Sequence, residues 1–234
     1  LSGATLTQVV NASGEQPVER VVRILRDAAL ALNEAHQFGL IHRDIKPSNI
    51  MLTRQGGVPD VTKLLDFGLV KNLVQIDDLE RTNTLSIKWT PHYLSPEAIP
   101  NPQGSDARTD LYALGAVGYY LLAGRHVFEG KTIMEVCLHH LNTKPLSLAE
   151  IGSIDVPPEL EQLIFACLEK EQANRPASGQ ELADALDRLE VAQWTRMDAE
   201  AWWDVFGSEI DRAREALRPT SPTEQTVAVD LEER

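Results

Sequence analysis

The stretch His42-Arg43-Asp44-Ile45-Lys46-Pro47-Ser48-Asn49 and the triplet Asp66-Phe67-Gly68 decide the fold and the chemistry that we predict for this chain. The first stretch places a carboxylate, a cation and an amide oxygen close together, and the triplet adds a second carboxylate. Phosphoryl transfer requires a carboxylate that accepts the proton of the attacking hydroxyl, a cation that neutralises developing charge, and oxygen ligands for Mg²⁺. The residues that would supply these groups are Asp44, Lys46, Asn49 and Asp66.

Two short apolar runs separate the two motifs. Ile50–Leu52 and Val61–Leu65 flank the pair Gly56-Gly57, and this pattern predicts a small β-hairpin. The loop before the hairpin carries Asp44, and Asp66 follows the second strand. The hairpin would therefore bring groups that are distant in sequence to one metal ion.

Helical periodicity dominates the remainder of the chain. From Pro17 to about His36, apolar residues recur at intervals of three and four, which indicates a helix with one buried face. Further helices are expected near 106–122, 131–142, 158–169, 178–191 and 198–217. We interpret the adjacent pair His139-His140 as part of a solvated helix face. The expected fold class is mainly α with a small β-hairpin.

Composition narrows the function. The chain has 234 residues and a formal charge of -13, so its mean field repels phosphates and disfavours nucleic acid or anionic membranes as partners. The longest apolar run, 111–124, is too short to span a bilayer and indicates a core helix. Cys137 and Cys167 have no metal-ligand spacing, which favours a reducing, cytoplasmic location. A membrane anchor could lie elsewhere in a parent chain.

The two motifs resemble the catalytic loop and the metal-binding triplet of protein kinases. The resemblance extends over residues 1–190, which are similar to the large C-terminal lobe of bacterial-type Ser/Thr kinases from the hinge onward. It implies that Asp44 is the catalytic base and that Lys46, two residues later, follows the Ser/Thr-kinase pattern rather than the tyrosine-kinase pattern. It also places Met51 beneath adenine and Leu1 at the hinge beside it. The implied ligands of the phosphate-bound metal are Asn49 and Asp66.

The segment 89–97, WTPHYLSPE, resembles the loop that receives the protein substrate, with Trp89 where the family has glycine. The resemblance places Thr90 against the catalytic aspartate and lysine. It also makes Arg43 a ligand for a phosphate on the activation loop. The candidate phosphate acceptors are Thr82, Thr84 and Ser86.

Other residues would support the site without reacting. The resemblance places His42 beneath the catalytic loop and makes Asp110 the group that holds the backbone of His42 and Arg43. It pairs Glu97 with Arg175, since a buried charge needs a partner.

The expected organisation is a kinase C-lobe at 1–190, an additional amphipathic helix at 191–217 and a disordered tail at 218–234. The additional helix carries a cluster of tryptophans, which we expect to fix it onto the lobe; docking of a partner is the alternative. The members of this cluster are Trp194, Trp202 and Trp203.

The expected function is a Ser/Thr protein kinase that uses ATP with Mg²⁺ or Mn²⁺ and acts on a protein substrate. No Gly-rich phosphate loop and no strand lysine with its helix glutamate precede Leu1. We therefore expect a fragment whose N-lobe lies in a parent chain, and which alone binds ATP weakly and turns over negligibly.

Two alternatives to a protein kinase are open. The first is a non-catalytic kinase-like scaffold, although all four chemical positions are present. The second is a small-molecule phosphotransferase, which would not need the long segment that ends in Ser95-Pro96-Glu97.

Overall fold

The protein is described by a computed structural model that covers residues 3–66, 91–101, 104–151 and 155–216. Within these ranges most of the chain is helical, and the strands form one small antiparallel sheet. The predicted class, mainly α with a β-hairpin, is confirmed. Several residues singled out from the sequence lie outside the described ranges: Leu1, Thr82, Thr84, Ser86, Trp89, Thr90 and the predicted tail 218–234.

The elements follow one another in a simple order. The strands are β1 Gly3–Thr5, β2 Ile50–Gln55 and β3 Val58–Leu64. The helices are α1 Leu6–Ser13, α2 Val18–Gln37, α3 Ala107–Ala123, α4 Ile133–Asn142, α5 Leu148–Ile151, α6 Pro158–Cys167, α7 Gly179–Asp187 and α8 Arg196–Ala216. Single 3-10 turns occur at Pro47–Asn49, Pro91–Tyr93, Pro96–Ala98 and Gln172–Asn174.

The sheet has the order β1-β2-β3, so the predicted hairpin β2-β3 acquires a third strand that the sequence pattern did not reveal. Gly3 pairs with Thr53 across the sheet. A Cβ at Gly3 would lie 2.2 Å from the carbonyl oxygen of Leu52, so only glycine allows β1 to approach β2 this closely. At the end of the hairpin away from its turn, Ile50 faces Leu64.

Helix α3 occupies the centre of the lobe, and its residues from Thr109 to Ala123 are all buried. It is bounded by an Asp106 N-cap and by Gly124 in the left-handed conformation, both common helix boundaries. Small residues let its neighbours approach, because a Cβ at Gly115 would lie 2.6 Å from Cβ of Cys167 in α6. The apolar run 111–124 is therefore a core helix, as predicted.

The structure also shows the surroundings of the two cysteines and of the adjacent histidines on α4. Cys137 and Cys167 are both buried and free. The interpretation of the adjacent histidines on α4 as a solvated face is wrong for His140, which is fully buried and bonded to the Tyr112 hydroxyl at 2.8 Å. No helix in the described ranges is long and apolar enough to cross a membrane.

Candidate active site

The loop between α2 and β2 brings three of the predicted site residues into direct contact. Lys46 Nζ donates to both carboxylate oxygens of Asp44, each at 3.0 Å. Asn49 Nδ2 donates to Asp44 Oδ2 and to its main-chain oxygen, each at 2.9 Å. The 3-10 turn at 47–49 makes this possible by folding the loop back on itself. The Asp44 carboxylate is thus oriented by a cation on one side and an amide on the other.

The hairpin returns the chain to this loop. The Leu65 amide donates to the Asn49 carbonyl oxygen at 2.8 Å, directly before Asp66. His42 Nε2 donates to the Leu65 carbonyl oxygen at 2.8 Å, and this fixes the tautomer that leaves Nδ1 to accept from the Asp44 amide at 3.3 Å. His42 therefore links the backbone of Asp44 to the peptide that precedes Asp66.

A buried aspartate holds the start of the loop. Asp110, on α3, accepts from the amides of His42 and Arg43, each at 2.8 Å, and from His36 Nε2 at 2.8 Å. Arg43 has a φ of 61°, a region that costs a side-chain-bearing residue on the order of 1 kcal/mol. The bonds to Asp110 offset this strain. The contact of His36 with Asp110 was not predicted, because nothing in the helical pattern distinguishes this histidine.

Asp66 leaves the hairpin in the left-handed conformation, with a φ of 58°, and its side chain is exposed. The amide nitrogen of Asn49 is occupied by Asp44, which directs its amide oxygen elsewhere. An amide oxygen and a carboxylate are the hard oxygen donors that Mg²⁺ accepts, with phosphate and water oxygens completing its shell. The described residues contain no cluster of three or more His, Cys, Asp or Glu side chains able to hold a metal. The donor chemistry of Asn49 and Asp66 nevertheless fits a phosphate-bound Mg²⁺.

Glu97, at the end of the segment 91–97, forms a bidentate ion pair with Arg175. Arg175 Nη1 and Nη2 lie 2.9 and 2.7 Å from the two carboxylate oxygens, and the Arg175 side chain is fully buried. Its other donors reach the carbonyl oxygens of residues 108, 169 and 170. Burial opposes the charged form of Glu97, but the bonds from Arg175 and Thr109 outweigh it and lower the pKa of Glu97 to about 2.

Stacked rings surround the turn at 91–93. His92 stacks on His126 with ring centroids 3.9 Å apart, and His92 Nδ1 donates to the Phe128 carbonyl oxygen at 3.0 Å. The Tyr93 hydroxyl contacts His126 Nδ1 at 3.2 Å. Burial, and then the nearby His92, lower the pKa of His126 to about 4. The described part of the substrate-loop segment is thus anchored to the α3–α4 connection by aromatic contacts that the sequence did not predict.

The remaining predicted residues are placed as follows. Met51 lies on β2 opposite Thr5 and Lys63, and it is nearly buried. Arg43 is exposed. The contact expected between Thr90 and the catalytic loop, and the position of Leu1 at the hinge, fall outside the described residues, as do the three candidate phosphate acceptors.

The helical lobe and the polar loop at residues 42–49 are typical of proteins of the kinase class. A family model of the protein kinase domain matches residues 1–186, and the chain therefore belongs to the protein kinase family. The predicted resemblance is confirmed.

The relatives agree with this assignment. The chain is 35% identical over 193 residues to the Ser/Thr-protein kinase PknB of Mycolicibacterium smegmatis, which covers 82% of the chain and 30% of that protein. It is 35% identical over 201 residues to the Ser/Thr-protein kinase pkn3 of Myxococcus xanthus, covering 85% of the chain and 36% of that protein. The chain thus spans about a third of the length of these curated relatives.

Solved structures share the fold. The kinase domain of Mycobacterium tuberculosis PknI, solved as a point mutant, has a TM-score of 0.57 and 27% identity, covering 80% of the chain and 62% of that domain. Rad53 residues 1–466 in complex with AMP-PNP have a TM-score of 0.62 and 24% identity, covering 79% of the chain and 44% of that protein. The second likeness shows the fold alone.

Removal of Arg175 should destabilise the lobe strongly. Arg175→Ala leaves Glu97 half-buried without its cation, which typically costs about 3–5 kcal/mol. The matched control is Arg196→Ala, which removes the arginine of the exposed Arg196–Glu200 pair and should cost less than about 1 kcal/mol. Urea unfolding of the variants measures both changes. Equal losses for the two variants would contradict a structural role of the Glu97 pair.

Buried histidines should make the stability of the lobe pH-dependent. Burial, with Lys170 and the neighbouring histidines 92 and 139, lowers the pKa of His140 to about 3 from an ordinary value of about 6.5. Below pH 6.5 the unfolded state binds more protons than the folded state, so stability falls as the pH falls towards the folded pKa. Between pH 7.5 and 5.5, His140→Gln should reduce the loss of unfolding free energy by on the order of 1 kcal/mol relative to the wild-type protein.

The control for this slope is Tyr112→Phe. It removes the hydroxyl bonded to His140 but retains the buried imidazole, so it should lower stability without flattening the pH dependence. Urea unfolding at several pH values separates the two effects. A wild-type slope in His140→Gln would show that this histidine does not contribute.

Proposed function

We propose that this chain carries the phosphoryl-transfer residues of a Ser/Thr protein kinase, which moves the γ-phosphate of ATP to a serine or threonine hydroxyl of a protein substrate. The observation that supports the proposal is the position of the Asp44 carboxylate, which is bonded to Lys46 and Asn49. The residue before Asp66 is bonded to the main chain of Asn49 in the same loop. The kinase family of the chain and the Ser/Thr kinases among its relatives support the same activity.

Asp44 is the general base in this proposal. Its carboxylate orients the substrate hydroxyl and accepts the hydroxyl proton as the oxygen attacks phosphorus. Lys46 lies 3.0 Å from that carboxylate, where it can neutralise charge that develops on the transferred phosphoryl group. Asn49 keeps the base in place through its amide nitrogen.

Asn49 and Asp66 would hold Mg²⁺, or Mn²⁺ in its place. When bound, the metal supplies positive charge that bridges and neutralises the ATP phosphates. The chain contributes the arrangement of its ligands: the bond from the Leu65 amide to the Asn49 carbonyl keeps the two ligand-bearing backbones together.

Adenine and the protein substrate would be bound by further residues of the same face. Met51 on β2 would form the floor of the adenine site, with Leu1 as the proposed neighbour. Thr90 is proposed to contact Asp44 and Lys46 when substrate binds. Arg43, exposed beside the base, binds a phosphate that orders this loop; the proposed acceptors are Thr82, Thr84 and Ser86.

The proposed organisation assigns residues 1–190 to the kinase lobe, 191–217 to an additional helix and 218–234 to a tail. The family match to residues 1–186 supports the first boundary. Helix α8, at Arg196–Ala216, lies within residues 191–217 and supports the assignment of an additional helix there.

Asp44→Asn in the natural protein should lower kcat by about 10²–10⁴-fold, because the amide cannot accept the hydroxyl proton. Transfer of label from [γ-³²P]ATP to a generic basic protein measures the effect. Asp106→Asn is the matched control, since asparagine caps α3 as well as aspartate does and the position is exposed. Near-normal turnover in Asp44→Asn would refute the assignment of the base.

Asp66→Asn should remove the dependence of nucleotide binding on Mg²⁺, because the amide carries no charge to hold the metal. Calorimetric titration of a non-hydrolysable ATP analogue, with Mg²⁺ and with EDTA, measures the difference. The wild-type protein and Asp106→Asn should bind more tightly with Mg²⁺. If Asp66→Asn keeps the full Mg²⁺ effect, Asp66 is not a ligand.

A further inference from the structure

A second buried carboxylate, Asp60 on β3, binds the segment that contains the start of α8 to the sheet. Asp60 on β3 accepts from Arg20 Nε and Nη2 at 2.8 and 3.0 Å. It also accepts from the indole nitrogens of Trp194 at 2.9 Å and Trp203 at 2.6 Å. Asp60 is 2% exposed and Arg20 is fully buried, so the two bonds between them are shielded from water, whereas the two tryptophan bonds are half-buried. Such a charge pair is costly unless its hydrogen-bonding groups are matched, and here each Asp60 carboxylate oxygen accepts two bonds.

Asp60 lies at an irregular position of the hairpin. Thr53 pairs with Val61 and Gln55 with Val58, so β3 contains one more residue than β2 across this interval. Asp60 has a φ of 56°, which is typical of a bulge that bends and twists a strand. The bonds from Arg20 and the two tryptophans therefore hold the irregular position of the hairpin.

Arg20 joins this cluster to the helical lobe. Its guanidinium lies 3.9 Å from the ring centroid of Trp202 and 5.2 Å from that of Trp194. Its Nη1 donates to the side-chain oxygen Oε1 of Gln16 at 2.8 Å. The main-chain amide of Gln16 in turn donates to the Leu121 carbonyl oxygen of α3 at 2.8 Å. Burial lowers the pKa of Arg20 from its ordinary value, while the Asp60 charge opposes that effect.

The far end of α8 reaches the other edge of the sheet. Arg214 Nη2 donates to the carbonyl oxygen of Gly3, the first residue of β1. Between its two ends α8 packs on α1 and β3. We call residues 194–216 the strap, because they bond to both edge strands of the three-stranded sheet. The family match ends at residue 186, so the strap lies beyond it.

We propose that the strap is a positioning element for nucleotide binding, and that Trp203 and Asp60 are its positioning residues. Fixing β1 and β3 leaves the central strand β2 in one register, and β2 begins directly after Asn49 while β3 leads to Asp66. This role of the strap rests on the proposed function, because it concerns the arrangement of the two proposed metal ligands. Without the strap, the hairpin must be ordered when the nucleotide binds, and that cost lowers affinity.

The test compares Trp203→Phe with Trp202→Phe in the natural protein. Both variants replace an indole by a phenyl ring at neighbouring positions of α8. The first removes a hydrogen bond to Asp60, whereas Trp202 contacts Arg20 through its ring face. The measurements are KM for ATP, kcat, and hydrogen exchange of the amides of residues 61–66.

Trp203→Phe should raise KM for ATP several-fold with little change in kcat, and should accelerate exchange at 61–66. Trp202→Phe should lower the melting temperature without either effect. If both variants lose stability alike while KM and exchange stay at wild-type values, the strap is only structural and the inference is wrong. If the wild-type protein transfers no phosphate, the proposed function fails; faster exchange only in Trp203→Phe would still support the positioning of the hairpin, and equal exchange would overturn it.

Discussion

The loop at residues 42–49, which carries the proposed base, depends on the carboxylate of Asp110. A buried carboxylate must be matched by donors, and Asp110 obtains them from the amides of His42 and Arg43 and from the ring of His36. These bonds keep Arg43 in a left-handed conformation that a loop would otherwise avoid. The next residue is Asp44, so the direction of the proposed base is set by a helix far away in sequence.

The same device appears twice more in the described residues. Glu97 joins the substrate-loop segment to Arg175, 78 residues later, and Asp60 joins β3 to Arg20, 40 residues earlier. In each case a carboxylate with matched donors links segments that are distant in sequence. Hydrophobic burial is non-directional, whereas hydrogen bonds to a charge fix an orientation. The apolar core around α3 therefore contributes most of the stability. The carboxylates of Asp60, Glu97 and Asp110 fix the relative positions of the segments that they join.

The sequence predicted the parts of this arrangement that depend on local pattern. Hydrophobic periodicity located six of the described helices but not the short helices α1 and α5. The spacing of polar residues located Asp44, Lys46 and Asn49, which the structure brings into contact. Strand β1 was missed because three residues carry too little pattern to distinguish a strand from a loop. The environment of His140 was judged wrongly because exposure depends on which elements pack on α4. The role of Asp60 was not predicted, because its partners lie on α2 and beyond residue 190.

The division between core and carboxylates also explains why a change at the surface of the lobe can reach the site. Apolar contacts in a core are individually weak and non-directional, although close packing makes changes of side-chain volume costly. In a buried ion pair with bidentate geometry, a displaced donor leaves a desolvated charge unmatched. Separating segments joined by such a pair therefore carries the cost of an unmatched buried charge. The hairpin is held by the ion pair at Asp60 and by the bond from the Leu65 amide to the Asn49 carbonyl oxygen. These two contacts connect it to helix α2 and to the loop that carries the proposed base.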